Sequence, residues 1–197
     1  MHDAVYSHAS FSVLINNAAV SHDGKKFWEL ELDDIDRLIN TNLKGTMYIT
    51  QLVLKHGMNF IESTLLLASF SSYSTYVGMV PANSGFIVGL ASVAGTWGIP
   101  KESCYVASKH GMVGFLDTVA NETRDTNICV STICPGGIDT PWWRSDHPYG
   151  EGSTHKDGTT SHLIQTQELV DLIDFQLAQP TNRVFKRVVM FPKNEWH

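Results

Sequence analysis

Four short apolar runs without polar alternation constrain this chain most. They are Val13-Leu14-Ile15, Phe86-Ile87-Val88-Gly89-Leu90, Ile128-Cys129-Val130-Ser131-Thr132-Ile133 and a last run from Val184 to Phe191. A strand with one solvated face alternates apolar and polar residues, whereas a continuous run suits a strand covered on both faces, as in a parallel sheet. Helical periodicity fills the intervals. From Asp33 or Asp34 as N-cap, apolar residues recur at Ile35, Leu38, Ile39, Leu43, Met47, Leu52 and Leu54, and Gly57 is placed to end the run. A second helix is expected from Ser103 to Thr123, burying Val113, Leu116 and Val119, and a third from Gln167 to Ala178. Strand and helix in alternation predict an α/β, doubly wound parallel sheet with right-handed crossovers. At 197 residues and 43% hydrophobic content, residues 1–197 are expected to form one domain.

Two stretches fit this pattern poorly. Asn59 to Met79 holds Leu65-Leu66-Leu67 and a hydroxyl-rich run from Ser69 to Thr75, and it separates a finished helix from the next strand by far more than an ordinary connection. It reads as an insertion, either a translated intron or a genuine extra loop, and it is too polar for a membrane span. His147 to Ser161, rich in Gly, Ser, Thr and His, reads as a long loop between the third strand and the last helix. Loops at the carboxyl ends of parallel strands are where such sheets bind ligands.

Charge and cysteine usage narrow the functional classes. The formal charge is -6, and no stretch clusters Lys and Arg as a phosphate-backbone footprint requires, so no nucleic-acid partner is expected. Cys104, Cys129 and Cys134 lie in apolar runs without CxxC or Cys/His spacing, which reads as buried free thiols in a reducing compartment. The nine histidines form no HExxH or HxH pair, and no metal site is expected. Met1 to Ser10 lacks the basic and apolar regions of a signal peptide, so the expected location is cytoplasmic, with no membrane partner.

The chemistry concentrates between Ser92 and Lys109. Ser92 follows a strand, which puts its hydroxyl near the carboxyl edge of the sheet, and Tyr105 and Lys109 are four apart on the next helix, hence on one face. A phenol with its ordinary pKa near 10 is a poor base at neutral pH, and a fixed ammonium beside it is expected to lower that value. Ser92 would donate a hydrogen bond to an oxygen at the reacting carbon.

The segment GFIVGLASVAGTWG, with Tyr105 thirteen positions after Ser92 and followed by VASK, resembles the catalytic Ser and YxxxK motif of short-chain dehydrogenases and reductases. LINNAA, from Leu14 to Ala19, resembles the family's NNAG motif beside the cofactor, with Ala19 in place of Gly. Asn42 in NLKG resembles the helix Asn that completes the catalytic tetrad and holds a proton-relay water. PGGIDT, from Pro135 to Thr140, resembles the PGxxxT turn at the nicotinamide end of the cofactor.

The resemblance implies a partial Rossmann-like sheet and NAD(P)-dependent hydride transfer between nicotinamide and a carbonyl or secondary alcohol. Tyr105 would be general acid and base, Lys109 would tune it and hold the nicotinamide ribose, Ser92 would position the substrate oxygen, and Asn42 would support the relay. Asn16, Ala18, Tyr105, Lys109, Pro135, Gly136, Ile138 and Thr140 would contact NAD or NADP. The partner would be a small carbonyl or alcohol, and the full-length form a homo-oligomer.

Taken residue by residue, blander readings stand beside these. Asn16 and Asn17 could end a strand, Asn42 could be a polar position on a half-exposed helix, Pro135-Gly136 could be only a turn, and Trp97, Trp142 and Trp143 could line a pocket or serve a core or interface. The chain also departs from the family. No TGxxxGxG loop is present, and only fifteen residues precede Asn16 where the family places two to three strand-helix units. The chain is therefore expected to be an N-terminally truncated member lacking the first strands and the phosphate-binding loop. The alternative function is a non-catalytic fragment that persists only through association with another chain. A serine hydrolase using Ser92 is disfavoured, because GLASVAG is not a GxSxG elbow.

Overall fold

The structure is a computed structural model, and it describes residues 13–21, 24–56, 78–140 and 163–193. Strands β1 (Val13–Asn16), β2 (Gly85–Leu90), β3 (Ile128–Pro135) and β4 (Arg187–Met190) form one sheet in the order β1-β2-β3-β4. Every neighbouring pair is parallel, with Val13 opposite Phe86, Phe86 opposite Cys129 and Thr132 opposite Arg187. All four carboxyl ends therefore meet along one edge. β3 is buried at every position, as its unbroken apolar pattern requires of a strand paired on both sides and covered on both faces.

The helices divide between the two faces. On one, Ile87, Ala91, Val130 and Cys134 pack against Val53 of α2 (Thr46–Lys55) and against Met112, Val113, Leu116 and Val119 of α4 (Ser103–Glu122). On the other, Val88 and Ile133 pack with half-buried Phe86 and Leu90 against Leu169 and Ile173 of α5 (Thr166–Leu177). Side chains along β2 thus alternate between two cores, both apolar, which is why the run shows no polar alternation.

Gly89 shows how tightly α4 approaches the sheet. A Cβ at that position would lie 2.1 Å from Leu116 Cδ1. Any side chain there would force Leu116 out of a fully buried position.

Several expectations need correction. The long helix is real, but α1 (Leu32–Leu38) and α2 are joined by a π-helical segment, Ile39–Gly45, in place of an unbroken α-helix. Its N-cap is Glu31, while Asp33 and Asp34 sit in the first turn, where the helix dipole favours acidic groups. β4 is shorter than the run from Val184 to Phe191, because pairing with β3 begins only opposite Thr132 and leaves Val184 and Phe185 exposed. The segment read as an insertion does not end at Met79. Met79 is fully buried in the larger core and begins a short helix, α3 (Met79–Ala82), so it belongs to the fold. Residues 59–77 of that segment, and the loop expected from His147 to Ser161, lie outside the described residues.

The three cysteines are free and buried. Among the described residues, no helix is long and apolar enough to cross a membrane, and no group of three or more His, Cys, Asp or Glu is placed to hold a metal ion.

The Gly89 contact yields a direct test. Gly89→Ala is expected to destabilise the protein by about 1–3 kcal/mol through overpacking. In a Leu116→Ala background the same change is expected to cost much less, since the obstructing methyl is gone. Urea denaturation of the four proteins in a double-mutant cycle checks this, and additive losses would contradict the contact.

Candidate active site

At the carboxyl edge of the sheet, three loops and one helix enclose a cleft of about 280 Å³. Its walls include Asn17 to Ser21 after β1 (without Ala18), Ala91 to Val93 after β2, Pro135 to Thr140 after β3 (without Asp139), and Ile99, Glu102, Tyr105 and Lys109 on and before α4. That volume lies near the lower end for small-molecule sites. Parallel strands ending together at one edge leave room there for their loops to converge.

Ser92 caps a short 3-10 turn, Val93–Gly95, and its hydroxyl accepts the Ala94 N–H at 3.1 Å. The hydroxyl also acts on the Tyr105 phenol, favouring its ionised form. Burial raises the pKa of the neighbouring Cys134 thiol, against the opposing pull of the Ser92 backbone N–H, Arg187 and Lys109. Lys109, 2% exposed, donates to the Leu90 carbonyl at 3.0 Å, and its Nζ lies 5.6 Å from the centroid of the Tyr105 ring. A hydroxyl, a phenol and an ammonium thus converge at the mouth of β2.

Asn42 stands behind the cleft wall. It is 1% exposed and occupies the π-helical segment. Its Oδ1 accepts the Val20 N–H at 2.8 Å, and its Nδ2 donates to the Val20 carbonyl at 2.8 Å and to Ser108 Oγ at 3.1 Å. Ser108 in turn donates to the Tyr105 carbonyl at 2.7 Å. Gly111 eases this packing: a Cβ there would lie 2.8 Å from Leu43 Cδ2, so a side chain would require Leu43 to shift where the π-helical segment rests on α4.

The electrostatics differ from expectation in one respect. The Lys109 ammonium was expected to bring the Tyr105 phenol down from its ordinary value. Burial instead pushes Tyr105 up to about 12; the Ser92 hydrogen bond lowers it only in part, and the Glu102 charge adds to the rise. Burial likewise pushes Lys109 down to about 8, with the neighbouring Cys134 opposing. Removing water from both groups disfavours both ions, and at this separation that outweighs their mutual attraction. The phenol is therefore the form held at neutral pH.

Of the residues singled out in the sequence, Ser92, Tyr105, Lys109, Pro135, Gly136, Ile138 and Thr140 line the cleft together. Asn16 and Ala18 do not. Asn16 is buried and its amide donates to Thr50 Oγ1 at 3.1 Å, tying β1 to α2, while Asn17 and Ala19 reach the cleft instead. Asn42 also lies outside the lining. Trp97 stacks on Phe191 with centroids 5.1 Å apart and is absent from the cleft wall, and Trp142 and Trp143 lie outside the described residues. Sequence reasoning missed Glu102, Ile99 and Val93 as wall residues; the position of Glu102 one turn before Tyr105 was the available signal. Among the described residues that line the cleft, none is a histidine.

Comparison with known proteins bears on this geometry. The family model described as short chain dehydrogenase matches residues 1–148. The 3-oxoacyl-(acyl-carrier-protein) reductase FabG of Thermotoga maritima is 32% identical over 137 residues, covering 70% of this chain and 46% of that protein. The chain spans about half the length of the curated relatives it matches. Among solved structures, the closed form of serine dehydrogenase complexed with NADP+ superposes with a TM-score of 0.74 at 20% identity, covering 94% of this chain and 66% of that one, a likeness of fold. A 3-oxoacyl-(acyl-carrier protein) reductase with bound NAD from Brucella melitensis gives a TM-score of 0.64 at 26% identity, covering 92% and 61%.

The buried ammonium carries a pH signature. A lysine whose folded pKa is lowered contributes stability that is fully present above its unfolded value and is lost as pH falls through the folded value, here about 8. Between pH 10 and pH 7 the unmodified protein should lose on the order of 2–3 kcal/mol relative to Lys109→Met, which has no such group. Urea denaturation of both proteins at the two pH values measures the difference, and parallel pH dependences would contradict the burial of the charge.

Proposed function

The chain belongs to the short chain dehydrogenase family, and from that premise we propose that its cleft serves NAD(P)-dependent hydride transfer between nicotinamide and a carbonyl or secondary alcohol. The observation that carries the reading is that Ser92, Tyr105 and Lys109 line one cleft at the carboxyl edge of a parallel sheet, with Lys109 Nζ 5.6 Å from the Tyr105 ring centroid. The NAD bound in the similar reductase structure from Brucella melitensis supports it.

The residues present suit the nicotinamide end of such a cofactor. Lys109 uses one of three N–H donors on Leu90, which leaves capacity for ribose hydroxyls. Pro135, Gly136, Ile138 and Thr140 form a turn on the same wall, where main-chain groups and the Thr140 hydroxyl can meet a carboxamide. Asn17 and Ala19 form the wall opposite. When bound, the nicotinamide supplies or accepts the hydride.

The protein's own groups govern the proton and the orientation. Ser92 holds the substrate oxygen beside Tyr105. With its pKa about 12, Tyr105 carries its proton at neutral pH and donates it to that oxygen as the carbonyl is reduced. Lys109, protonated below its pKa of about 8, stabilises the phenolate that remains. Asn42 is a positioning residue: through Val20 and Ser108 it fixes the first loop and the backbone of Tyr105. The arrangement is better prepared for reduction than for oxidation at neutral pH, since oxidation asks Tyr105 to begin as a base.

Tyr105→Phe is the direct test. It removes the proton donor and little packing area, so ketone reduction with NADH or NADPH should fall by about 10²–10⁴-fold while cofactor affinity stays within a few-fold. Stopped-flow and steady-state nicotinamide absorbance would measure both, and turnover within about tenfold of the unmodified protein would refute the role.

A further inference from the structure

The proposed chemistry leaves Glu102 without a role, although it is the second ionisable charge on the cleft wall. Glu102 is the N-cap residue of α4, three positions before Tyr105 and on the same helical face. It lines the cleft next to apolar Ile99 and Val93, and its charge acts on the Tyr105 phenol. Side chains at an N-cap ordinarily accept a backbone N–H from the first turn. Glu102 makes no such bond. The helix terminus explains the stability of a carboxylate here, because the dipole favours it, but not the choice of Glu over a short capping residue.

The remaining lining is informative. Among the described wall residues the only cation is Lys109, which is 2% exposed and donates to Leu90 at the base of the cleft. Among the described residues, the lining combines apolar Ile99, Val93 and Ile138 with one carboxylate, Glu102. Glu102 is not without a partner, yet two carboxylate oxygens offer about four acceptor positions.

Resting on the hydride-transfer reading, we propose that Glu102 is a specificity-determining residue, selecting substrates with an ammonium or similar cationic donor a few bonds from the reacting carbon over carboxylates. Tyr105 marks the reacting oxygen, and residues three apart on a helix have Cβ atoms about 5–6 Å apart. A cation on the first to third atom from the carbonyl would reach Glu102 while the oxygen stays at Tyr105 and Ser92. An anionic group placed there would meet a like charge across an apolar, poorly screening wall.

The test compares the unmodified protein with Glu102→Gln, which keeps the shape and removes the charge. Benzylammonium, benzyl alcohol and benzoate serve as unreactive probes in ligand-observed NMR titrations, with melting temperature followed in parallel. Benzylammonium should bind about five- to tenfold more tightly than benzoate to the unmodified protein, and Gln should erase that preference while leaving benzyl alcohol unchanged. A preference that survives in Glu102→Gln, its absence from the unmodified protein, or a fall in melting temperature with unaltered probe binding would overturn the assignment. Turnover with NADPH then separates the two ideas, using aminoacetone, butan-2-one and acetoacetate. The ratio of kcat/KM for aminoacetone to that for butan-2-one should fall about fivefold in the variant. The expected probe pattern without reduction of any ketone would sustain the cation preference of the cleft and refute hydride transfer.

Discussion

Three hydrogen bonds to the Asn42 amide tie together three parts of the chain that are distant in sequence. The Val20 N–H and carbonyl lie in the loop after β1, Ser108 lies on α4, and Asn42 itself lies in the π-helical segment between α1 and α2. The amide uses both of its donors and one of its two acceptor positions. Arg37 adds a bond to the Ser21 carbonyl at 3.1 Å, so the first loop is fixed at successive residues. Because Ser108 also bonds the Tyr105 carbonyl, the same cluster sets the height of the phenol above the sheet. A buried amide missing one of these partners would leave an unsatisfied polar group at a cost of about 1–3 kcal/mol. The cleft is thus built from the protein interior outward.

The chemistry follows from burial as much as from charge. Ser92, Tyr105 and Lys109 sit where β2 ends, with Leu90 supplying the acceptor for the ammonium. A solvated Tyr-Lys pair would shift the phenol towards ionisation, but dehydration acts on both partners and leaves a protonated phenol beside a weakened ammonium. Such a pair is poised to give up a proton once negative charge develops on a bound oxygen. Bringing a positively charged nicotinamide near it would move the phenol in the opposite direction, towards ionisation.

Much of this was legible in the chain, for identifiable reasons. Non-alternating apolar runs located β2 and β3, and the spacing of Val113, Leu116 and Val119 located α4, because each pattern reports burial that the fold supplies. The run Val13 to Ile15 also located β1, but there burial on both faces was not met, since Ile15 is 45% exposed. The order of motifs brought Ser92, Tyr105, Lys109 and the turn from Pro135 to Thr140 to one place. What escaped depends on tertiary contacts. The π-helical segment leaves almost no trace in a helical pattern, since Leu38, Ile39 and Leu43 suit either winding. Which asparagine of Asn16-Asn17 faces the cleft depends on how β1 meets Thr50. Met79 looked like the end of an insertion because the core it joins also draws on α2 and α4, remote in sequence. The direction of the Tyr105 shift required knowledge of how much water the fold removes, which no spacing encodes.

The central claim is that Tyr105 is a cleft phenol, beside Ser92 and Lys109, kept protonated by desolvation as the proton donor. Carbon-13 labelling of tyrosine at Cζ, with assignment through Tyr105→Phe, allows its ionisation to be followed by NMR as pH is raised while the protein remains folded. The account predicts that the Tyr105 resonance stays in its neutral form through pH 11, consistent with a value of about 12. Ionisation at or below the ordinary tyrosine value near 10 in the folded protein would contradict it.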